Sequence, residues 1–117
     1  MSKRLTFGQG GIEMLGLPYG SYDFGPLAKK HGTGFKLLCK WDPDDISQLY
    51  VLLPDEVTWI TAECKWMLYA RGLSYNQHRL IRDFRRKELK APETLESQLM
   101  ARLRLHEHWM DTTSRRG

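Results

Sequence analysis

Phe35-Lys36-Leu37-Leu38-Cys39-Lys40-Trp41-Asp42-Pro43-Asp44-Asp45-Ile46-Ser47-Gln48-Leu49-Tyr50-Val51-Leu52-Leu53 decides the fold. Phe35, Leu37, Cys39 and Trp41 alternate with Lys36 and Lys40, so this segment is a strand with one apolar and one wet face. Asp42 to Asp45 reads as a turn, because Asp caps open amides and Pro presets the backbone. Ile46 to Leu53 is a second, apolar strand. Pro54-Asp55-Glu56 is a hairpin-type turn. Val57 to Thr61 is a third strand, with Thr58 and Ile60 on one face and Val57, Trp59 and Thr61 on the other.

Toward the N-terminus, Leu5 to Phe7 is a short strand and Gly10-Gly11 a turn. Ile12 to Leu17 alternates around a break and reads as one irregular strand, ended by Pro18 and Gly20. Pro26 to His31 fits a short helix, with Pro in its first turn and Gly32 as its stop. Five short strands predict a mainly β fold, a small closed or SH3-like β-barrel. Closure would also remove the exposed sheet edges.

Toward the C-terminus, Lys65 to Gly72 is a short helix or crossing segment, with Trp66, Leu68 and Tyr69 available to pack on the barrel. Ser74 with Gln77 forms a capping-box pattern. The helix it opens spans Tyr75 to Lys90 with a narrow stripe of Leu80, Ile81, Phe84 and Leu89. Ala91-Pro92 breaks it. Glu93 to Met110 is a second helix, and Asp111 to Gly117 a polar, basic tail. The expected organisation is a barrel over 1–63, a connecting segment and basic helix over 64–91 completing the domain, and a C-terminal helix with a flexible tail over 92–117.

The 117 residues suffice for one ordinary domain, and a hydrophobic content of 41% allows only a small core. Four Trp, five Tyr and four Phe supply large core pieces for that length. The net charge of +4 is unevenly placed. Residues 1–60 carry six Lys/Arg against seven Asp/Glu, and residues 61–117 carry twelve against seven. The excess positive charge therefore lies in the second half. It suits either a polyanion contact or a solvated helix surface. Cys39 and Cys64 sit in apolar strand-like contexts and read as buried free thiols. No stretch has the length of a signal peptide's apolar core or approaches the ~20 apolar residues of a membrane span. The expectation is a soluble, cytoplasmic protein.

Catalytic chemistry is not indicated. Asp42, Asp44 and Asp45 are dense, but the proline among them suits a turn better than an ion cage. His106 and His108 are two apart on one helix and point to different sides. Gly8, Gly10 and Gly11 lack the strand-to-helix context of a phosphate loop. No nucleophile, base and orienting group emerge together. Neither a metal site nor a cofactor is expected.

Three segments go beyond composition: Gly11-Ile12-Glu13-Met14-Leu15-Gly16-Leu17-Pro18-Tyr19, the Trp41 to Val51 run, and Ala70-Arg71-Gly72-Leu73-Ser74-Tyr75-Asn76-Gln77-His78-Arg79-Leu80-Ile81-Arg82. In this order they resemble the C-terminal region of Mu-type DDE transposases, including TnsB-like subunits. The resemblance covers roughly residues 5–90. It implies a small barrel followed by helices, lying after a catalytic core whose Asp, Asp, Glu triad and Mg²⁺ cut and join DNA. That core is not part of this sequence, so no acidic residue here receives the catalytic role, and the chain is expected not to be an enzyme by itself. The resemblance also implies assembly with other transposase subunits on transposon-end DNA, possible recruitment of an AAA+ ATPase, and a bacterial, nucleoid-associated setting.

The residues expected to meet DNA backbone are Arg79, Arg82, Arg85, Arg86 and Lys90, since Arg forks suit phosphate. Lys36 and Lys40 are a second expected contact, or simply keep their strand face wet. Trp41, Trp59, Tyr19 and Tyr50 read as barrel core or rim, with an aromatic cage for a modified side chain as the sharper alternative. Leu95, Leu99, Leu103, Trp109 and Met110 form a stripe that folds back on the barrel or docks on a partner. The leading reading is therefore a DNA-contacting module of a transposition complex. The alternative is an adaptor that recruits an AAA+ ATPase or another transposase subunit without touching DNA. A peptide-reading barrel of the Tudor type comes third.

Overall fold

A computed structural model of the chain describes the backbone of residues 1–116 and the side chains of residues 1–107. It divides into two compact units, Met1–Tyr75 and Asn76–Gly117.

The first unit is a closed antiparallel barrel of six strands in the order β1-β2-β3-β6-β5-β4. The strands are β1 (Ser2–Gly8), β2 (Gly11–Met14), β3 (Leu17–Gly20), β4 (Phe35–Asp42), β5 (Asp45–Leu52) and β6 (Trp59–Cys64). Helix α1 (Phe24–His31) joins β3 to β4, and α2 (Met67–Ala70) follows β6. The barrel closes through β1 and β4, paired from Ser2 opposite Lys40 to Phe7 opposite Phe35. Neither strand is left with an open edge.

The sequence predicts five strands, and the sixth arises at Leu15. What reads as one irregular strand is a hairpin, with Met14 opposite Leu17 across a two-residue loop of Leu15 and Gly16. Both loop residues have positive φ, 47° and 79°. Such a turn matches the twist of its flanking strands. Leucine gives little warning of it, because it seldom adopts that conformation. Gly11, at φ 99°, is needed for a different reason: a Cβ there would lie 2.3 Å from the Tyr19 carbonyl oxygen.

The third predicted strand also moves, from Val57–Thr61 to Trp59–Cys64. Asp55 explains the shift. Its Oδ1 accepts the amides of Val57 and Thr58, both at 2.9 Å, and its Oδ2 accepts the Thr58 hydroxyl at 2.6 Å. These bonds draw Val57 and Thr58 into the turn. They also hold the Asp55 carboxyl down to about 2, the Thr58 hydroxyl contributing most. The strand continues instead through Ala62 and Cys64, both buried.

Leu37, Cys39 and Trp41 point inward as the alternation requires, while Lys36 and Lys40 are exposed. A register shift between Lys40 and Asp42 bulges the end of β4. Phe7, Ile12, Leu17, Tyr19, Leu49 and Val51 complete the centre of the core. Each such side chain contributes roughly 1.5–3 kcal/mol by leaving water. Phe24 of α1 meets Phe7 edge-on at 5.1 Å, so α1 packs by the start of the barrel. Pro26 lies in its first turn, and the Gly32 amide closes the helix on the Ala28 carbonyl at 2.7 Å. Burial pushes the Cys39 and Cys64 thiols up to about 11, and both are free.

The second unit contains most of α3 (Tyr75–Phe84), a π-helical turn (Arg85–Leu89) and α4 (Leu95–Arg116). The sequence predicts one uninterrupted helix to Lys90. In the structure the wider turn begins at Arg85, and Lys90 ends it in the left-handed conformation. Thr94 caps α4, accepting the Ser97 amide on Oγ1 at 3.1 Å. That helix runs past Met110, where the sequence places its end. The barrel unit extends to Tyr75. Residues 64–75 belong with the barrel, tied to it by the bonds described next. Among the described residues no helix is long and apolar enough to cross a membrane.

Candidate nucleic-acid interface

The first two segments that stand out in the sequence meet the Ala70 to Tyr75 part of the third within the first unit. The Tyr19 hydroxyl donates to the Ile46 carbonyl at 2.5 Å. The Ile46 amide donates to the Leu73 carbonyl at 3.0 Å, and the Tyr75 amide to the Pro43 carbonyl at 2.8 Å. The Tyr75 ring stacks on Trp41. Burial, with the Cys64, Asp45 and Tyr69 groups adding to it, keeps the Tyr19 hydroxyl far above its ordinary pKa and so a donor at any working pH.

The acidic run serves the turn within this junction. Asp42 Oδ1 accepts the Asp44 amide at 2.9 Å. Asp45 Oδ1 accepts the Ser47 amide at 3.0 Å and its hydroxyl at 2.7 Å, which lowers the Asp45 pKa, the hydroxyl first. Backbone and hydroxyl donors hold these carboxylate oxygens in an Asx-type turn.

The five basic residues expected on one DNA-facing surface divide into two groups. Arg82 forks onto Glu93, Nε to Oε2 at 2.5 Å and Nη2 to Oε1 at 3.0 Å. Arg85 reaches the same Oε2 at 3.1 Å and the Ala91 carbonyl at 2.5 Å. Arg85 is only 4% exposed. These two arginines fold the Ala91-Pro92-Glu93 connection back along the helix. Burial would raise the Glu93 carboxyl, but the Arg82 hydrogen bond and the Arg82 and Arg85 charges outweigh it, and its pKa is lowered.

Arg79, Arg86 and Lys90 are exposed, and so is Lys87, which the sequence reading does not single out as a contact. Arg86 bonds Asp83 at 3.0 Å, with both side chains about half exposed. Such a pair is weak and yields easily to a phosphate. Arg79 and the turn of Arg86, Lys87 and Lys90 thus form an outward cationic set on α3 and the turn after it, and Arg104 of α4 is exposed as well.

On the barrel, Lys36 and Lys40 are exposed as expected. Tyr19 and Trp41 are core residues. Tyr50 and Trp59 are not: they stand 44% and 43% exposed on the outer face. The Lys40 ammonium sits 5.1 Å from the Trp59 ring centroid. The strand alternation carries this signal, since Tyr50 falls between the buried Leu49 and Val51.

On α4 the buried row differs from the expected apolar stripe. The buried row is Gln98, Ala101 and Leu105. Leu95 and Leu99 are half-buried, and Leu103 is 54% exposed. A helix turns 3.6 residues per turn, so a row spaced by fours drifts off the face that spacings of three and four keep. The Trp109 and Met110 side chains lie outside the described residues.

No protein-family model matches the chain, and no curated protein matches it.

Proposed function

We propose that the chain is a non-catalytic C-terminal module of a DDE transposase. In this reading it contacts the backbone of transposon-end DNA and neighbouring subunits within a transposition complex, at the nucleoid of a bacterial cell. The observation that carries the reading is the junction at Ile46, where the three segments of the transposase resemblance meet through the Tyr19 and Leu73 bonds.

The DNA contact falls to Arg79, Arg86, Lys87 and Lys90, the exposed cations of α3 and of the π-helical turn that Lys90 ends. Arg82 and Arg85 act through Glu93 and hold the helix in shape. Phosphate contacts of this kind position a protein without reading sequence. Each one displaces counterions, so affinity falls steeply with salt. No residue of the chain is assigned to cutting or joining strands. The test is binding of the whole chain to duplex DNA across a salt series. Steep salt dependence supports the reading, and no binding at low salt overturns it.

One observation favours the adaptor alternative. Met100 and Leu103 are 47% and 54% exposed on α4. An AAA+ ATPase or another transposase subunit docking there would be held by apolar contact, with little sensitivity to salt.

A further inference from the structure

We propose that the outer face of β4, β5 and β6 is a stacking platform for single-stranded DNA. The choice of DNA rests on the transposase reading. The choice of a single strand rests on the face itself.

Tyr50 and Trp59 are the only large aromatic residues pointing outward from these three strands among the described residues. The register pairs Lys40 with Tyr50, Tyr50 with Thr61 and Leu52 with Trp59. Trp59 is therefore the diagonal neighbour of Tyr50 on the adjoining strand, roughly 7–8 Å away. Two rings at that spacing on one face can each take a base. A duplex hides its base faces in the stack, whereas a single strand offers them.

The charge on the face suits the same ligand. Lys40 lies over Trp59 at 5.1 Å. Lys36 is outward on β4 opposite Thr6, and Arg4 is outward on β1 opposite Leu38. Cations thus run along the β1–β4 side while the rings occupy β5 and β6. Single-strand binders combine a positive track for the backbone with aromatic platforms for the bases. The Lys40 ammonium covers Trp59 in the free protein. A bound phosphate draws it aside and opens the ring to a base. Glu63 lies outward opposite Gln48, and Asp55 and Glu56 are exposed in the turn before Trp59, so acids flank the platform at both ends of β6.

The test is binding of the whole chain to a labelled oligothymidine at low salt, by anisotropy, beside a duplex of equal length. Trp59→Ala and Tyr50→Ala are each expected to weaken oligothymidine binding about 5- to 100-fold, from the stacking lost per base. Duplex binding should stay unchanged, and Trp59→Phe should restore most of the loss. Melting curves check that these surface variants fold. Arg79, Arg86, Lys87 and Lys90 changed together to Ala should do the reverse, weakening duplex binding first, so the two readings fail separately. The proposal is overturned if the Tyr50→Ala, Trp59→Ala double variant binds oligothymidine like the intact chain. Equal loss for duplex and single strand overturns it too, as does tighter binding of oligouridine.

Discussion

The rings of Trp41 and Tyr75 stack, with centroids 6.0 Å apart and planes 25° from parallel. Trp41 ends the inward row of β4, and Tyr75 opens α3. The contact fastens the chain leaving the barrel to the turn between β4 and β5, beside the Tyr75–Pro43 and Ile46–Leu73 backbone bonds. Stacked aromatics of this kind are worth about 0.5–1.5 kcal/mol beyond the area they bury. A double-mutant cycle of Trp41→Leu and Tyr75→Leu by urea denaturation should return a coupling of that size. Additive single effects would show that the stack contributes nothing of its own.

The Leu15–Gly16 turn yields a gain in stability. Leu15 holds φ at 47°, a conformation that costs an ordinary L-residue roughly 1–2 kcal/mol. Leu15→Asn creates the Asn-Gly pair that this turn prefers. The loss of a half-buried side chain offsets part of the relief, leaving about 0.5–1 kcal/mol. Thermal melting should show Tm rising by a few degrees. A lower Tm would mean that the Leu15 side chain matters more than its backbone.

Glu93 makes the second unit sensitive to acid. Its folded pKa lies below the unfolded value of about 4.3. The stability this shift contributes is therefore fully present above the unfolded pKa, and is lost as pH falls through the folded pKa. Removing the charge also leaves Arg85 buried without its counterion. Glu93→Gln should cost about 1–3 kcal/mol at pH 7. Helix content followed in denaturant over a descending pH series should show the two chains differing at pH 7 and the difference shrinking as pH falls below the unfolded pKa. A difference independent of pH would place the role of Glu93 in packing instead of charge.

How far the sequence could be read depended on where the partners lie. β4 was legible because Lys36 and Lys40 mark its wet face, and the Asp-Pro turn marks its end. Barrel closure followed from short strands and frequent turns. The hairpin at Leu15 was hidden because leucine carries no turn signal. The start of β6 was hidden because Val57 favours strands, yet the Asp55 carboxylate captures its amide. The candidate interface was legible as charge but not as geometry. Arg82 and Arg85 look like their cationic neighbours until Glu93, beyond the Pro92 break, is seen to hold both. Nothing local to the helix distinguishes an arginine turned toward that acid from one turned toward solvent. The π-helical turn at Arg85 is equally silent in the sequence, and it changes which residues share a face.

The central claim is that the outward cations of α3 and the turn after it bind DNA backbone. Its most direct measurement is duplex binding across a salt series, for the intact chain and for a variant with Arg79, Arg86, Lys87 and Lys90 all changed to Ala. Each phosphate contact adds about −0.9 to the slope of log K against log salt. The account predicts a steep slope for the intact chain, flattened by roughly 2–4 in the variant while the fold stays intact. An unchanged slope, or no binding by the intact chain at low salt, would contradict it.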